Sequence, residues 1–361
     1  MSPTTIPGNF VLQSPTTSKV VVVNDQRNPP GDAQITYGIT SAGGVFNLRS
    51  TGTVDYEVEW GDGTVERSTS NVLAHTYAAG NYVLKIRTAQ QYVPYFNNST
   101  DGGQITSVAL VSDLGVGTDL TIAWYGANNM TTFDAAFGVT TGVISFFRSW
   151  QNCTSLTSFP LIDTSSGTNF FAAWFGCSSL TSFPLLDTSS GTSFFYAWSN
   201  CNNLTSFPLL DTSSGTNFGN AWSYCSNLTS FPLIDTSSGT NFTQAWRGCT
   251  QLTTFPLIDT SSGISFSSTW LSCTSLTSFP ANMFDTTGTL VATAFQSAFQ
   301  SCALTAQSVE NILVSLDTNG ASNVTLGING GTNAGQASWT TAATTAYNNL
   351  IAKGWTITAN P

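Results

Sequence analysis

The spacing of apolar positions changes character twice along the chain. Between about residues 35 and 97 apolar and polar residues alternate, as in Val54-Asp-Tyr-Glu-Val-Glu-Trp60 and Tyr82-Val-Leu-Lys-Ile86. Period-two alternation with a Gly61-Asp-Gly63 turn predicts the strands of a small β-sandwich. Further on a 24-residue period takes over. Trp150, Trp174, Trp198, Trp222, Trp246 and Trp270 keep that step, and Cys153, Cys177, Cys201, Cys225, Cys249 and Cys273 follow three residues behind. Between them runs C-x-x-L-T-S-F-P-L-[LI]-D-T-S-S-G-x-x-F-x-x-[AT]-W-x-x, with Thr254 where the first copy has Ser158. A strict period in this range predicts a solenoid, in which each unit buries its apolar side only against its neighbours. In the unit that starts at Cys177, Leu180, Phe183 and Leu185 are expected to point inward from a strand. Gly191 closes an Asp187–Gly191 turn. Phe194, Trp198 and Cys201 fall at i, i+4 and i+7, one face of a short helix. Each unit thus reads strand, turn, short helix, with equivalent residues stacked about 4.8 Å apart.

The flanks divide the rest. Residues 1–34 hold Val20-Val-Val-Val23 and then Asn28-Pro-Pro-Gly31, a strand and a turn-rich linker that could anchor the chain. Residues 98–149 look like a decayed first repeat: Ala123-Trp124 and Met130-Thr-Thr-Phe133 echo the unit with other residues at the Cys and Pro positions. Such an atypical unit suits a cap. Residues 150–304 are the repeats, ending at Phe299-Gln-Ser-Cys302. Residues 305–361 predict a C-terminal α/β cap: helical spacing over Ser308–Asp317 (Val309, Ile312, Leu313, Leu316), a strand over Val324–Ile328, a helix over Thr340–Lys353 with Gly354 as its cap, and a strand from Trp355 to Thr358.

Composition narrows the function. Only 8% of the 361 residues are charged, the net charge is −10, and Lys plus Arg number nine, with no basic cluster to neutralise phosphates; nucleic acid is not an expected partner. With 24 Phe and 10 Trp the chain has the apolar content to fold rather than remain disordered. No run of 18 apolar residues predicts a membrane span. Met1–Phe10 lacks the basic and apolar regions of a signal peptide, which suits a component of a virus particle released by lysis.

Several residue columns invite chemistry. Seven cysteines leave at least one unpaired; the ladder reads as a reduced buried column, with disulfides or a metal as weaker alternatives because stacked side chains seldom offer the right dihedral and no His accompanies them. The Trp ladder is expected in the core, the alternative being an exposed sugar-stacking array. Asp163, Asp187, Asp211, Asp235 and Asp259 would repel at one-unit spacing by roughly 3–4 kcal/mol at an effective dielectric of 20. Asx-turns on the following Thr-Ser-Ser-Gly, or bridging calcium, would offset that. His75 and Asp62 stand without a nucleophile motif, so catalysis is not expected, and no cofactor is implied. The columns that vary between units lie after the inward Phe and after Trp. They place Phe147, Arg148, Phe171, Phe175, Phe195, Tyr196, Tyr224 and Arg247 on an outward face. That face could meet a receptor or glycan, contact another subunit, or drift without function.

Two resemblances follow from these residues. Trp60-Gly-Asp-Gly63, His75-Thr-Tyr77 and Gly80-Asn-Tyr-Val83 resemble the signature of PKD-type immunoglobulin-like modules, which implies a spacer or adhesion module. Residues 98–304 resemble BspA-like leucine-rich repeats, with Trp in place of the usual Phe or Met and Phe-Pro in the strand. The expected fold is therefore mixed α/β and multi-domain: a PKD-like sandwich, then a capped solenoid of strand–turn–short-helix units. The resemblance implies a non-enzymatic surface adhesion protein; the missing signal peptide and the possible N-terminal anchor favour one of a phage particle that recognises a host-surface protein or glycan. A bacterial cell-surface adhesin, or a structural virion protein contacting neighbouring subunits or its own copies, are the alternatives.

Overall fold

The computed structural model describes residues 35–52, 54–88, 92–96, 99–110, 119–135 and 140–361; the strand and linker expected within 1–34 lie outside these. Strands β1 (Ile35–Arg49), β2 (Tyr56–Glu59) and β4 (Val72–Thr88) alternate more and less buried positions over most of their length, as the period-two pattern requires, while β3 (Val65–Ser68) is largely exposed. A short helix α1 (Ser99–Gly102) and strands β5 (Ile105–Leu110) and β6 (Thr132–Ala135) follow. All six strands belong to one sheet, in the order β3-β2-β4-β1-β5-β6. The strand-rich domain expected here is present as this sheet. β1 and β4 are long enough to pair antiparallel from Ile35↔Ile86 to Arg49↔Val72, and the buried side of β1 changes from Ile35, Tyr37 and Ile39 to Phe46 and Leu48 across the exposed Gly43-Gly44.

β5 and β6 are the parallel pair of this sheet, in register from Ser107↔Thr132 to Leu110↔Ala135. β6 holds Phe133, the echo of the repeat's Leu-Thr-Ser-Phe. The decayed unit therefore serves both parts, as the last strand of the sheet and the first layer of the repeats. Ala127 fills its Cys slot and Met130 its Leu slot, both fully buried.

From Asp119 to Ser265, successive units lie over one another in parallel register, through single bridges Asp119↔Ser145↔Asn169↔Ser193↔Asn217↔Asn241↔Ser265. Three aromatic columns fill the interior. Trp124 to Trp270 stack at 5.2–5.9 Å, Phe146 to Phe295 at 5.1–5.5 Å, and Phe133 to Phe279 at 5.6–6.1 Å. The Trp ladder is thus core, with every member from Trp150 to Trp270 fully buried.

The backbone of the unit differs from expectation in two places. The Phe194–Cys201 segment is not a helix. The N–H groups of Phe194, Tyr196, Trp198 and Asn200 donate to Asn217, Gly219, Ala221 and Ser223 of the next unit at 2.8–3.0 Å. Those of Ala197, Ser199 and Cys201 turn back to the carbonyls three residues earlier. Half the donors a helix needs are spent between units. Tyr196 and Asn200 also sit at φ 59° and 60°, where a right-handed helix cannot continue. Two successive turns of this kind still put Phe194, Trp198 and Cys201 inside.

The second correction concerns Leu185. It is 62% exposed, while Leu186 is buried. The Leu186 N–H bonds the Pro184 carbonyl at 3.0 Å, closing a three-residue turn around Leu185 that throws its side chain outward. The same bond recurs at Leu210, Ile234 and Ile258. Each Pro also lacks the N–H that a stacked strand would donate. The Leu-Thr-Ser-Phe stretch consequently forms no regular ladder; Thr181, Thr205, Thr229 and Thr253 hold the preceding unit through N–H bonds of 3.3–3.5 Å.

Gly191 closes the Asp turn through a 2.8 Å bond to Thr188, and a Cβ there would lie 2.4 Å from the Phe194 ring. Behind the repeats stand helix α2 (Ala306–Asn319), strand β7 (Thr325–Ile328), helix α3 (Thr341–Ala352) and strand β8 (Thr356–Ala359). α2 buries Val309, Ile312, Leu313 and Leu316. β7 and β8 pair in parallel. Gly354, at φ 83°, ends α3, with Gly354 N–H on Ile351 and Trp355 N–H on Leu350, a Schellman closure. β7 takes over the unit-to-unit bonds, since Phe299 N–H reaches Gly327 and Ser301 N–H reaches Asn329. Trp355 stacks on Phe295 at 6.3 Å and closes the inner Phe column.

Candidate functional site

The sequence-derived candidates separate into an interior, an acidic edge and an outer face. The seven cysteines are free and buried. Each Sγ donates to the carbonyl of the Trp one unit earlier, from Cys153 on Trp124 at 3.3 Å to Cys302 on Trp270 at 3.0 Å. Burial pushes the thiols of Cys177, Cys201, Cys249 and Cys273 well up, and those of Cys225 and Cys302 up to about 12. Neutral thiols sealed in a core are poor nucleophiles and poor metal ligands. The indole N–H groups of Trp150 through Trp270 have no hydrogen-bond partner. Each indole instead meets perpendicular phenyl rings, as Trp174 does with Phe159 at 5.4 Å and Phe183 at 4.8 Å. These columns are structural.

The Asp column lies at the surface in Asx-turns. Oδ1 of Asp187 accepts the Ser189 N–H at 3.1 Å and its hydroxyl at 2.7 Å, and Asp163, Asp211 and Asp235 do the same with their own serines; Asp259 accepts the Ser261 N–H. Ser237's hydroxyl and N–H hold the Asp235 carboxyl below its ordinary range. Partial burial works against the same effect at Asp163, where bonds from Ser165 and Thr141 outweigh it. Between units, Thr164, Thr188, Thr212 and Thr236 donate to the backbone carbonyl of the next Asp. Among the described residues no three His, Cys, Asp or Glu side chains are grouped to hold a metal ion, and no helix is long and apolar enough to cross a membrane.

His75 and Asp62 do meet, with Nε2 2.7 Å from Oδ2. The pair is built into the sheet. His75 stacks on the buried Trp60 at 4.4 Å, and Tyr77 donates its hydroxyl to the Trp60 carbonyl at 2.8 Å. Asp62 accepts the Thr64 hydroxyl and N–H, and these bonds, with His75, bring its carboxyl down to about 2. A Cβ on Gly61 would come within 2.5 Å of the Val83 carbonyl, so the turn closes directly on β4.

The variable columns lie together on the outside. Phe147 and Phe171 stack at 4.8 Å, and Phe171 and Phe195 at 5.4 Å. Tyr196 meets Phe195 at 4.6 Å and Phe175 at 5.8 Å, both edge-on. All five rings are half-buried. The Arg148 guanidinium lies over Phe147 at 5.1 Å and Phe171 at 5.6 Å, and further along Arg247 lies over Tyr224 at 5.5 Å. Glycine makes room for rings to lie flat on the next unit: a Cβ at Gly219 or Gly248 would come within 2.7 Å of Phe195 or Tyr224. The eight residues singled out from the variable columns thus form two clusters of one face, at Arg148 and at Arg247.

A second exposed row went unread in the sequence. Leu161, Leu185, Leu209, Leu233 and Leu257 are 51–62% exposed and follow one another at the unit step. The signal that could have found it is the proline before each of them.

No protein-family model matches the chain, and neither does any curated protein or solved structure.

Proposed function

We propose that the chain is a non-enzymatic adhesion protein: a PKD-like module followed by a leucine-rich-type solenoid whose aromatic face engages a protein or glycan on a host surface, carried on a phage particle or, alternatively, on a bacterial cell. One observation carries this. The ring and Cys columns of the interior repeat from unit to unit, whereas the columns after the inward Phe and after Trp change most in residue type, and the first three units fill them with stacked rings. A scaffold that keeps its core constant and varies one surface is how repeat proteins present a recognition surface. Half-buried aromatics beside Asn, Gln and Ser suit such a surface. The test is binding of the purified chain to whole cells and to a glycan array, beside a Phe147→Ala/Phe171→Ala/Phe195→Ala variant of equal melting temperature. Binding that the variant loses supports the reading; equal binding by both removes it.

The exposed Leu row favours a second reading, contact with a neighbouring subunit. An apolar row of this length is a common element of assembly surfaces. Sedimentation of the wild-type chain and a Leu185→Asp/Leu209→Asp variant decides it: a wild-type oligomer that the variant disperses supports a structural role, and a monomer at high concentration removes it.

A further inference from the structure

Charge is segregated around the repeats. From Phe147 to Leu271 the carboxylates are Asp163, Asp187, Asp211, Asp235 and Asp259, all on the Asx-turn edge, and the cations are Arg148 and Arg247, both on the aromatic face. Asp119, one unit upstream, accepts the Thr121 N–H at 2.7 Å and makes no ion pair with Arg148. Among the described residues the other cations, Arg49, Arg67, Lys85, Arg87 and Lys353, are each paired with a carboxylate. Arg148 and Arg247 have none. Arg148 is spread over two rings, its Nε is buried without a hydrogen-bond partner, and the nearby Gln151 Oε1 is also unpartnered. In a chain of net charge −10, two unpaired guanidinium groups on a ring-lined face are the feature that calls for an anion.

Resting on the adhesion reading, we infer that this face takes an acidic oligosaccharide. The outer edge of Phe171 and the rings of Phe175 and Tyr196 offer apolar surface on which the C–H side of a sugar can lie. The Nη groups of Arg148 and Arg247 supply donors for carboxylates, with Gln244 holding Arg247 in place through a 2.9 Å bond from its Nη1 to Gln244 Oε1. The two arginines are four units apart, roughly 20 Å, which selects an extended oligomer over a single sugar. A guanidinium already held over aromatic rings loses little freedom when it binds a carboxylate.

The experiment applies the full-length chain to an array of uronic-acid-bearing and sialylated glycans printed beside their neutral, carboxyl-free counterparts, and then measures affinity for the best ligand by biolayer interferometry. The variants are Arg148→Gln, Arg247→Gln, Arg148→Lys and Phe171→Ala, each matched in melting temperature. Binding confined to acidic glycans is expected, weakened by salt, with a loss of roughly 10- to 100-fold in Arg148→Gln and a smaller loss in Arg148→Lys. Neutral glycans bound equally well, or Arg148→Gln unchanged while Phe171→Ala loses binding, would overturn the acidic ligand and leave the adhesion face standing. Cell binding that protease abolishes and glycan removal spares would also overturn it, in favour of a protein receptor. No array or cell binding, with the arginine variants instead losing self-association, would overturn both readings, because the guanidinium groups would then be meeting the Asp edge of a second copy.

Discussion

Raising the pH should dismantle this protein earlier than its lack of lysine and histidine chemistry would suggest. Six thiols of the Cys column, those of Cys177, Cys201, Cys225, Cys249, Cys273 and Cys302, are held neutral by burial well past their ordinary value. In the unfolded chain they ionise near pH ~8.5. A folded-state value raised above the unfolded one gives stability that is complete below about pH 8.5 and is lost as the pH climbs toward about 12, where Cys225 and Cys302 titrate. Each thiol costs about 0.9 kcal/mol at pH ~9 and about 1.4 kcal/mol at pH ~9.5. Six together cost about 5 and then about 8 kcal/mol, much of the ~5–15 kcal/mol by which a typical domain is stable. Buried tyrosines add little in this window, because the hydroxyls of Tyr37, Tyr77 and Tyr92 are raised from an ordinary value of 10.0. The assay is urea unfolding followed by Trp fluorescence in reductant at several values between about pH 7.5 and 9.5. A Cys201→Ser/Cys225→Ser/Cys249→Ser variant keeps a donor for each Trp carbonyl and removes three of the six titrating groups. Its alkaline slope should be about half that of the wild type. A wild-type midpoint that stays flat across this range, or an unchanged slope in the variant, would refute the sealed thiol column.

Three further outcomes are expected. Leu209→Asp should change stability by less than ~0.5 kcal/mol, whereas Leu210→Ala should cost ~2–5 kcal/mol, because the turn at Pro208 sends the first outward and the second inward; chemical denaturation of the two variants checks it. Trp198→Phe should cost less than Trp198→Ala, whose loss is expected at ~3–5 kcal/mol, since the indole N–H makes no hydrogen bond to lose and Phe299 already fills the equivalent place at 4.9 Å from Trp270. On the acid side, the Asp62 carboxyl is depressed to about 2 by Thr64 and His75, so its contribution is present above about pH 4 and disappears as the pH falls through about 2. The gap in melting temperature between wild type and Asp62→Asn should therefore be wide near pH ~6 and narrow near pH ~2, measured by calorimetry.

The residues that face inward were largely legible, because burial follows from spacing whatever the backbone does between. Phe194, Trp198 and Cys201 are interior as their i, i+4, i+7 pattern requires. That pattern, however, fits two consecutive turns as well as a helix. Only the left-handed φ of Tyr196 and Asn200 separates the two, and of these only the Asn hints at it. Leu185 was misplaced for a related reason. An L-x-x-L-x-L match presumes an extended backbone, and the proline in its midst bends the chain so that the next residue takes the inward place. The Asp-Thr-Ser-Ser-Gly turn and the Gly354 cap were readable because a single residue's chemistry decides each. The outer aromatic face was half legible. Internal comparison of the units located the variable columns, yet the pairing of Phe195 with Gly219 and Tyr224 with Gly248 needed coordinates.

The same geometry explains why the core can hardly vary and the outer face can. Every interior ring touches its counterparts in the units on either side: Trp198 stacks on Trp174 and Trp222 at 5.6 Å and meets Phe183 and Phe207 edge-on. A substitution there disturbs three layers at once, and a volume change in a close-packed stack has nowhere to relax. Cys201 is bound in the same way, since its thiol serves the carbonyl of Trp174 one unit back. On the outer face the backbone supplies the unit-to-unit bonds by itself, whatever side chain Phe195, Gly219 or Thr243 carries. Freedom from packing is therefore greater at the outward positions of each unit, this surface among them. Random drift would fill it with the Ser, Thr and Asn that dominate elsewhere on the chain. Instead it gathers six rings and both arginines of the repeats, with glycines against Phe195 and Tyr224, a composition that packing does not require and on which the proposed recognition role rests.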